Sequence, residues 1–122
     1  MNTPTFNDMK PFVPSQDFEL SMRYYQALGG TVNWRQGGLA EIDFGASRII
    51  LQDYYQQNWA ENFVMHIPVD DATAWHAHIA AMVDSGEYGK IRVHEPKAEP
   101  WCKLVTYAWD PSGVLLNLAQ FS

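Results

Sequence analysis

Two stretches of this chain repeat one another. Phe12-Val13-Pro14-Ser15-Gln16-Asp17 lines up with His66-Ile67-Pro68-Val69-Asp70-Asp71: each time an extended apolar run meets a proline, and an Asp follows three residues later. Internal self-similarity restricts the admissible folds more than any single motif, because each copy has to complete the same supersecondary unit. In the first copy Phe18, Ser21, Met22, Tyr25 and Leu28 recur at steps of three and four, which predicts one buried helical face. Asp17 is placed to accept from the free N–H groups of the first turn, and Gly29-Gly30 ends the helix. In the second copy Ala72, Trp75, Ile79 and Met82 form the stripe, Asp70 or Asp71 caps it, and Ser85-Gly86 follows its end.

Three strand-like runs come after each helix. They cover 31–35, 39–44 and 48–53 in the first half, and 90–94, 103–109 and 114–121 in the second. Gly37-Gly38 and Gly45-Ala46-Ser47 supply turns, and Asp110-Pro111-Ser112-Gly113 reads as a tight turn with Pro at its second position. The expected fold class is therefore α+β. Two tandem βαβββ modules, about 8–58 and 60–121, form one domain over 1–122. A curved mixed sheet makes a cup, with the helices on its outer face.

Composition narrows the partners. Eight basic against fourteen acidic side chains give 8 − 14 = −6. This balance argues against a nucleic acid partner, which needs clustered cations, and it is compatible with a cationic ligand. Cys102 is the only cysteine, so no internal disulfide forms, as in a reducing compartment. The N-terminus shows no signal-peptide pattern and no apolar run is long enough to span a bilayer, so a cytoplasmic protein without membrane contact is expected.

The repeated unit resembles the vicinal oxygen chelate superfamily, which comprises glyoxalases, bleomycin resistance proteins and dioxygenases. Further motifs carry the resemblance over about 8–121. Val13-Pro14-Ser15-Gln16-Asp17 followed by Ser21-Met22-Arg23-Tyr24-Tyr25 is similar to the family's strand–Asp–helix opening. Ile50-Leu51-Gln52-Asp53-Tyr54-Tyr55 looks like its fourth strand and exit, and Trp109-Asp110-Pro111-Ser112-Gly113-Val114 like the turn before its last strand. Pro100-Trp101 stands where many relatives have Pro-Trp-Gly, with Cys102 in place of that Gly.

The resemblance implies a homodimer with ligand grooves at the subunit interface. It also implies where a divalent ion would be held in metal-using relatives. Those four positions correspond here to Lys10, Gln52, Val64 and Asn117. A charged lysine has no lone pair, valine has no donor atom, and an asparagine oxygen is a poor substitute for a carboxylate, so no metal and no cofactor are expected. His76 and His78 are two apart on a helix and do not face each other, which leaves them short of the helical metal motif. His76 is expected to face solvent. His66 points the same way as Val64, into the expected cup.

The functional expectation is a metal-independent protein that binds a small organic molecule in an aromatic-lined cup or dimer groove. His66, Gln52, Asn117 and Lys10 are its polar candidates, and Trp34, Trp59 and Trp101 its aromatic ones. Lys10 either attracts an anion or pairs with an internal acid. The alternative is a metal-dependent lyase, isomerase or dioxygenase with an unconventional ligand set, such as His66 with Gln52 or Asp53. An interaction module whose aromatics bind another protein also remains open, as does the question of whether any reaction is catalysed.

Overall fold

Each half of the molecule, a computed structural model that describes residues 2–122, sets one long helix on one sheet. The first half contains β1 (Phe12–Pro14), α1 (Phe18–Ala27), β2 (Thr31–Gln36), β3 (Leu39–Asp43) and β4 (Arg48–Gln52). A short helix, α2 (Gln57–Glu61), leads into the second half. This contains β5 (Val64–Pro68), α3 (Ala72–Ser85), β6 (Arg92–Val93), β7 (Lys97–Glu99), β8 (Cys102–Trp109) and β9 (Leu115–Gln120).

The capping chemistry read from the repeat is in place. The Leu20 N–H donates to Asp17 Oδ1 at 3.1 Å and the Ala74 N–H to Asp71 Oδ1 at 3.0 Å, so Asp71 rather than Asp70 caps α3. Gly86 closes α3 in the left-handed conformation at φ 69°, which favours a residue without a Cβ. Gly30 answers a different need: a Cβ there would stand 2.5 Å from Ile42 Cγ2 and 2.9 Å from the Tyr25 carbonyl oxygen. The chain leaving α1 lies too close to its sheet for any side chain.

The strand order is β1-β4-β3-β2 in one sheet and β5-β9-β8-β6 in the other, with β7 also on β8. The first strand of each module pairs parallel with the last, and the remaining pairs are antiparallel. The expected mixed sheet is thus present as two mixed sheets of corresponding topology, one per module. Where one strand was expected over 90–94, the edge is in two pieces, β6 and β7, either side of a loop with Pro96. Proline has no N–H to offer β8, so pairing lapses there and resumes.

One core joins the modules. Val13, Ala40, Ile42 and Leu51 of the first sheet and Ala108, Leu116 and Leu118 of the second point into the same cluster. Phe18, Met22 and Tyr25 of α1 and Ile79 and Met82 of α3 fill it. Alternation along the strands sends the intervening residues to the opposite, helix-free faces. Those two faces carry the candidate site.

Candidate functional site

On the first sheet the helix-free face carries a charged network. Lys10 Nζ lies 2.5 Å from Glu41 Oε1, so its ammonium is paired with an internal acid, one of the two roles expected for it. The Asn33 amide donates to Glu41 Oε2 at 2.8 Å and to Asp43 Oδ2 at 3.1 Å. Arg48 reaches both Asp43 and Asp8 at 3.3 Å. The Lys10 and Asn33 hydrogen bonds hold the Glu41 carboxyl below its ordinary range, and the Gly45 N–H and Asn33 do the same for Asp43. Trp34 is paired in register with Glu41, and Gln52 with Leu39 and Pro14.

On the second sheet, register builds a straight row across three strands. Tyr107 of β8 pairs with Asn117 of β9, which pairs with His66 of β5. The row above is Trp109, Leu115 and Val64, and the row below is Val105, Ala119 and Pro68. The His66 ring packs 5.9 Å from Trp101 and 5.7 Å from Phe121, centroid to centroid, and the last two are 6.3 Å apart. Trp101 and Phe121 remain 44% and 52% exposed, so this is an uncovered aromatic cluster. In the middle of the row, Asn117 Oδ1 is buried and has no hydrogen-bond partner. Such an acceptor is costly to leave unpaired. Tyr107 donates to Glu99 Oε2 at 2.9 Å; burial first, then that bond, raises its hydroxyl to about 12.

The residues singled out from sequence therefore fall into groups. His66, Asn117 and Trp101 share the second sheet, while Lys10, Gln52 and Trp34 share the first. Strands of the two sheets make no extended contact within the chain. Trp59, an aromatic candidate for the ligand site, lies on α2 and packs against Tyr54 and Phe63 at 6.1 and 6.3 Å. A five-residue helix is too short to show a periodicity. His66 also opens onto a crevice of about 740 Å³ between the modules, whose walls include Leu28, Phe44, Arg48, Phe63 and Trp75. His76, expected to face solvent, is partly covered and lies 3.7 Å from Glu95 across to the β6–β7 loop.

The donor set does not suit a divalent ion. Lys10 is committed to Glu41, Val64 offers no donor, and the four positions are divided between two sheets. Among the described residues, no three His, Cys, Asp or Glu side chains come together as a metal-holding group.

Tyr107, Glu99, Glu41 and Asn33 were missed by sequence reasoning. Tyr107 was findable only through register: Trp109 pairs with Leu115, not Val114. A shift of one residue would turn every β8 side chain to the other face relative to Asn117.

No family model matches the chain. It is 23% identical to a bleomycin resistance protein of Klebsiella pneumoniae, over 90% of this chain and 89% of that one. The fold superimposes with a TM-score of 0.77 on a bleomycin-binding protein complexed with bleomycin, at 22% identity, over 96% of this chain and 100% of that one. A bleomycin resistance determinant encoded on the transposon Tn5 gives 0.77 at 23% identity, over 96% and 99%.

Proposed function

From a chain that has the glyoxalase/bleomycin resistance/dioxygenase (vicinal oxygen chelate) fold, we propose a binding protein for a small organic molecule that works without a metal ion. The observation that carries this reading is the exposed aromatic cluster of His66, Trp101 and Phe121 on the helix-free face of the second sheet. A flat ligand covers Trp101, Phe121 and His66, removing apolar surface from water. Aromatic walls with a few placed polar groups are the usual make-up of such a site.

Lys10, Gln52 and Trp34 belong to the same site through a second copy of the chain. A homodimer that sets the first sheet of one copy opposite the second sheet of its partner brings both groups to one groove. Trp59 acts from behind, by supporting Phe63 in the crevice wall.

Bleomycin, bound by a structural neighbour, is the first probe for calorimetry and tryptophan quenching, followed by a panel of flat aromatic compounds. Saturable binding by metal-stripped protein is expected, with at least tenfold loss in Trp101→Ala. An absence of binding across the panel, or binding only after loading with Zn, Ni, Mn or Fe, overturns the reading. Sedimentation checks the dimer.

A further inference from the structure

The two modules cover their first strands unequally. Val13 of β1 and Ile67 of β5 are counterparts in the repeat, since Phe12-Val13-Pro14 aligns with His66-Ile67-Pro68. Val13 is 0% exposed. Ile67 is only partly buried, and so are Phe63, Met65 and Val69, which share its side of β5 and its flanks by alternation. The difference lies in what packs outside each strand. α2 lies against β1, and no helix makes a comparable contact with β5. The second module thus leaves a strip of four apolar side chains short of cover.

That strip is one wall of the crevice of about 740 Å³ between the modules. Leu28 at the end of α1 and Phe44 in the β3–β4 turn close it from the first module, and Trp75 of α3 closes it from the second. Phe44 is exposed, and Leu28 and Trp75 are partly buried, so each has surface to offer. The crevice is separate from the aromatic cluster. His66, at its margin, packs its ring on Trp101 and Phe121, on the opposite face of β5 from Met65 and Ile67. Among the described residues, the lining carboxylate and guanidinium are Asp8 and Arg48. They pair with each other at 3.3 Å, and Arg48 also holds Asp43 at 3.3 Å.

We propose that this crevice is a second binding site, which takes a neutral, flat, apolar molecule and clamps the two modules across it. The site stands on its own residues and does not depend on the aromatic cluster. Its size falls within the range of about 300–1,000 Å³ usual for small-molecule pockets, which favour the boundary between structural units. Covering Phe63, Met65 and Ile67 removes apolar surface from water, and the rings of Phe44, Phe63 and Trp75 suit a flat aromatic body. A charged ligand would lose its hydration and find its counter-charge already paired. A chain segment would carry peptide N–H and C=O groups into the same apolar walls.

Two dyes with one skeleton test this: neutral N-phenyl-1-naphthylamine and its sulfonate, 8-anilino-1-naphthalenesulfonate, titrated by fluorescence and calorimetry. The neutral dye is expected to bind at one saturable site, at least tenfold tighter than the sulfonate, and to raise Tm. Its binding survives in Trp101→Ala and Phe121→Ala. Ala46→Trp, which puts an indole into the crevice from an exposed turn position, weakens it at least tenfold. Circular dichroism verifies that the variants fold, and methyl NMR of Leu28, Met65 and Ile67 in the wild type locates the dye independently of any variant. Absence of saturable binding overturns the proposal, as does a sulfonate that binds as tightly as the neutral dye. Loss of the dye in Trp101→Ala with unshifted Met65 and Ile67 methyls places it on the aromatic cluster, which sinks the second site and leaves the first. If Ala46→Trp dissociates a dimer and the dye binds only the monomer, the crevice is an interface between copies and the proposal falls.

Discussion

The Tyr25 hydroxyl donates a 2.6 Å hydrogen bond to Asp110 Oδ2, joining α1 of the first module to the β8–β9 turn of the second. Asp110 is 1% exposed, and its other oxygen accepts from the N–H groups of Ser112 at 2.8 Å and Val114 at 3.0 Å. The Ser112 hydroxyl in turn accepts from the Gln16 N–H at 2.9 Å. A single buried carboxyl thus shapes the turn and ties the halves together.

Burial raises the Asp110 carboxyl from its ordinary 3.8 to about 6, against the lowering effect of Tyr25 and the turn N–H groups. The fold therefore favours the protonated form. This contribution to stability is full below about pH 4 and is lost as pH rises through about 6. Asp110→Asn keeps an acceptor for the turn and removes the titration. Urea unfolding across pH 4 to 7 should show the variant gaining on the wild type by up to about 3 kcal/mol. Parallel curves for the two proteins would contradict the raised carboxyl.

Gly30→Ala should destabilise. Its Cβ would enter a space already held by Ile42 and the Tyr25 carbonyl. Overpacking of this kind costs about 1–3 kcal/mol, read as a lower urea midpoint with unchanged slope. Gly29→Ala meets no neighbouring atom but must adopt φ 106°, so its cost is backbone strain rather than collision.

Lys10→Met should move the Glu41 carboxyl upward, since the Lys10 hydrogen bond is the largest influence holding it down. With a depressed carboxyl, stability is present above its unfolded pKa and is lost as pH falls through the folded one. The variant should therefore be weakened most around neutral pH and converge on the wild type in acid. Carbon-detected NMR titration of Glu41 reads the shift directly.

Asn117→Leu should raise stability. Replacing a buried acceptor that has no partner removes a penalty of about 1–3 kcal/mol, and Leu conforms to the apolar rows on either side. A variant that melts earlier than the wild type would mean that Asn117 is satisfied in the folded protein.

Legibility from sequence tracked the range of the interactions involved. Asp17 was readable as a cap, and the second cap as Asp70 or Asp71, because a cap contacts residues three positions away; the structure selects Asp71. The division of the last module's edge into β6 and β7 was not anticipated from sequence, because two pieces on one neighbour require the partner strand to be known. α2 was not legible, because five residues cannot display a helical period. His66 and Asn117 were both named as site residues; that they are register partners emerged only when β5 and β9 were paired.

Duplicated capping and stripe patterns were enough to specify two like modules, since those patterns arise from contacts within a few residues of the backbone. Residue types likewise showed that Lys10 and Val64 are poor metal donors. Long-range packing settled the rest: the committed Lys10–Glu41 pair, the Tyr25–Asp110 tie, and the separation of the candidate residues onto two sheets. Side chains far apart along the chain meet only when strand register and helix packing bring them together. Neither is encoded in any short window of sequence.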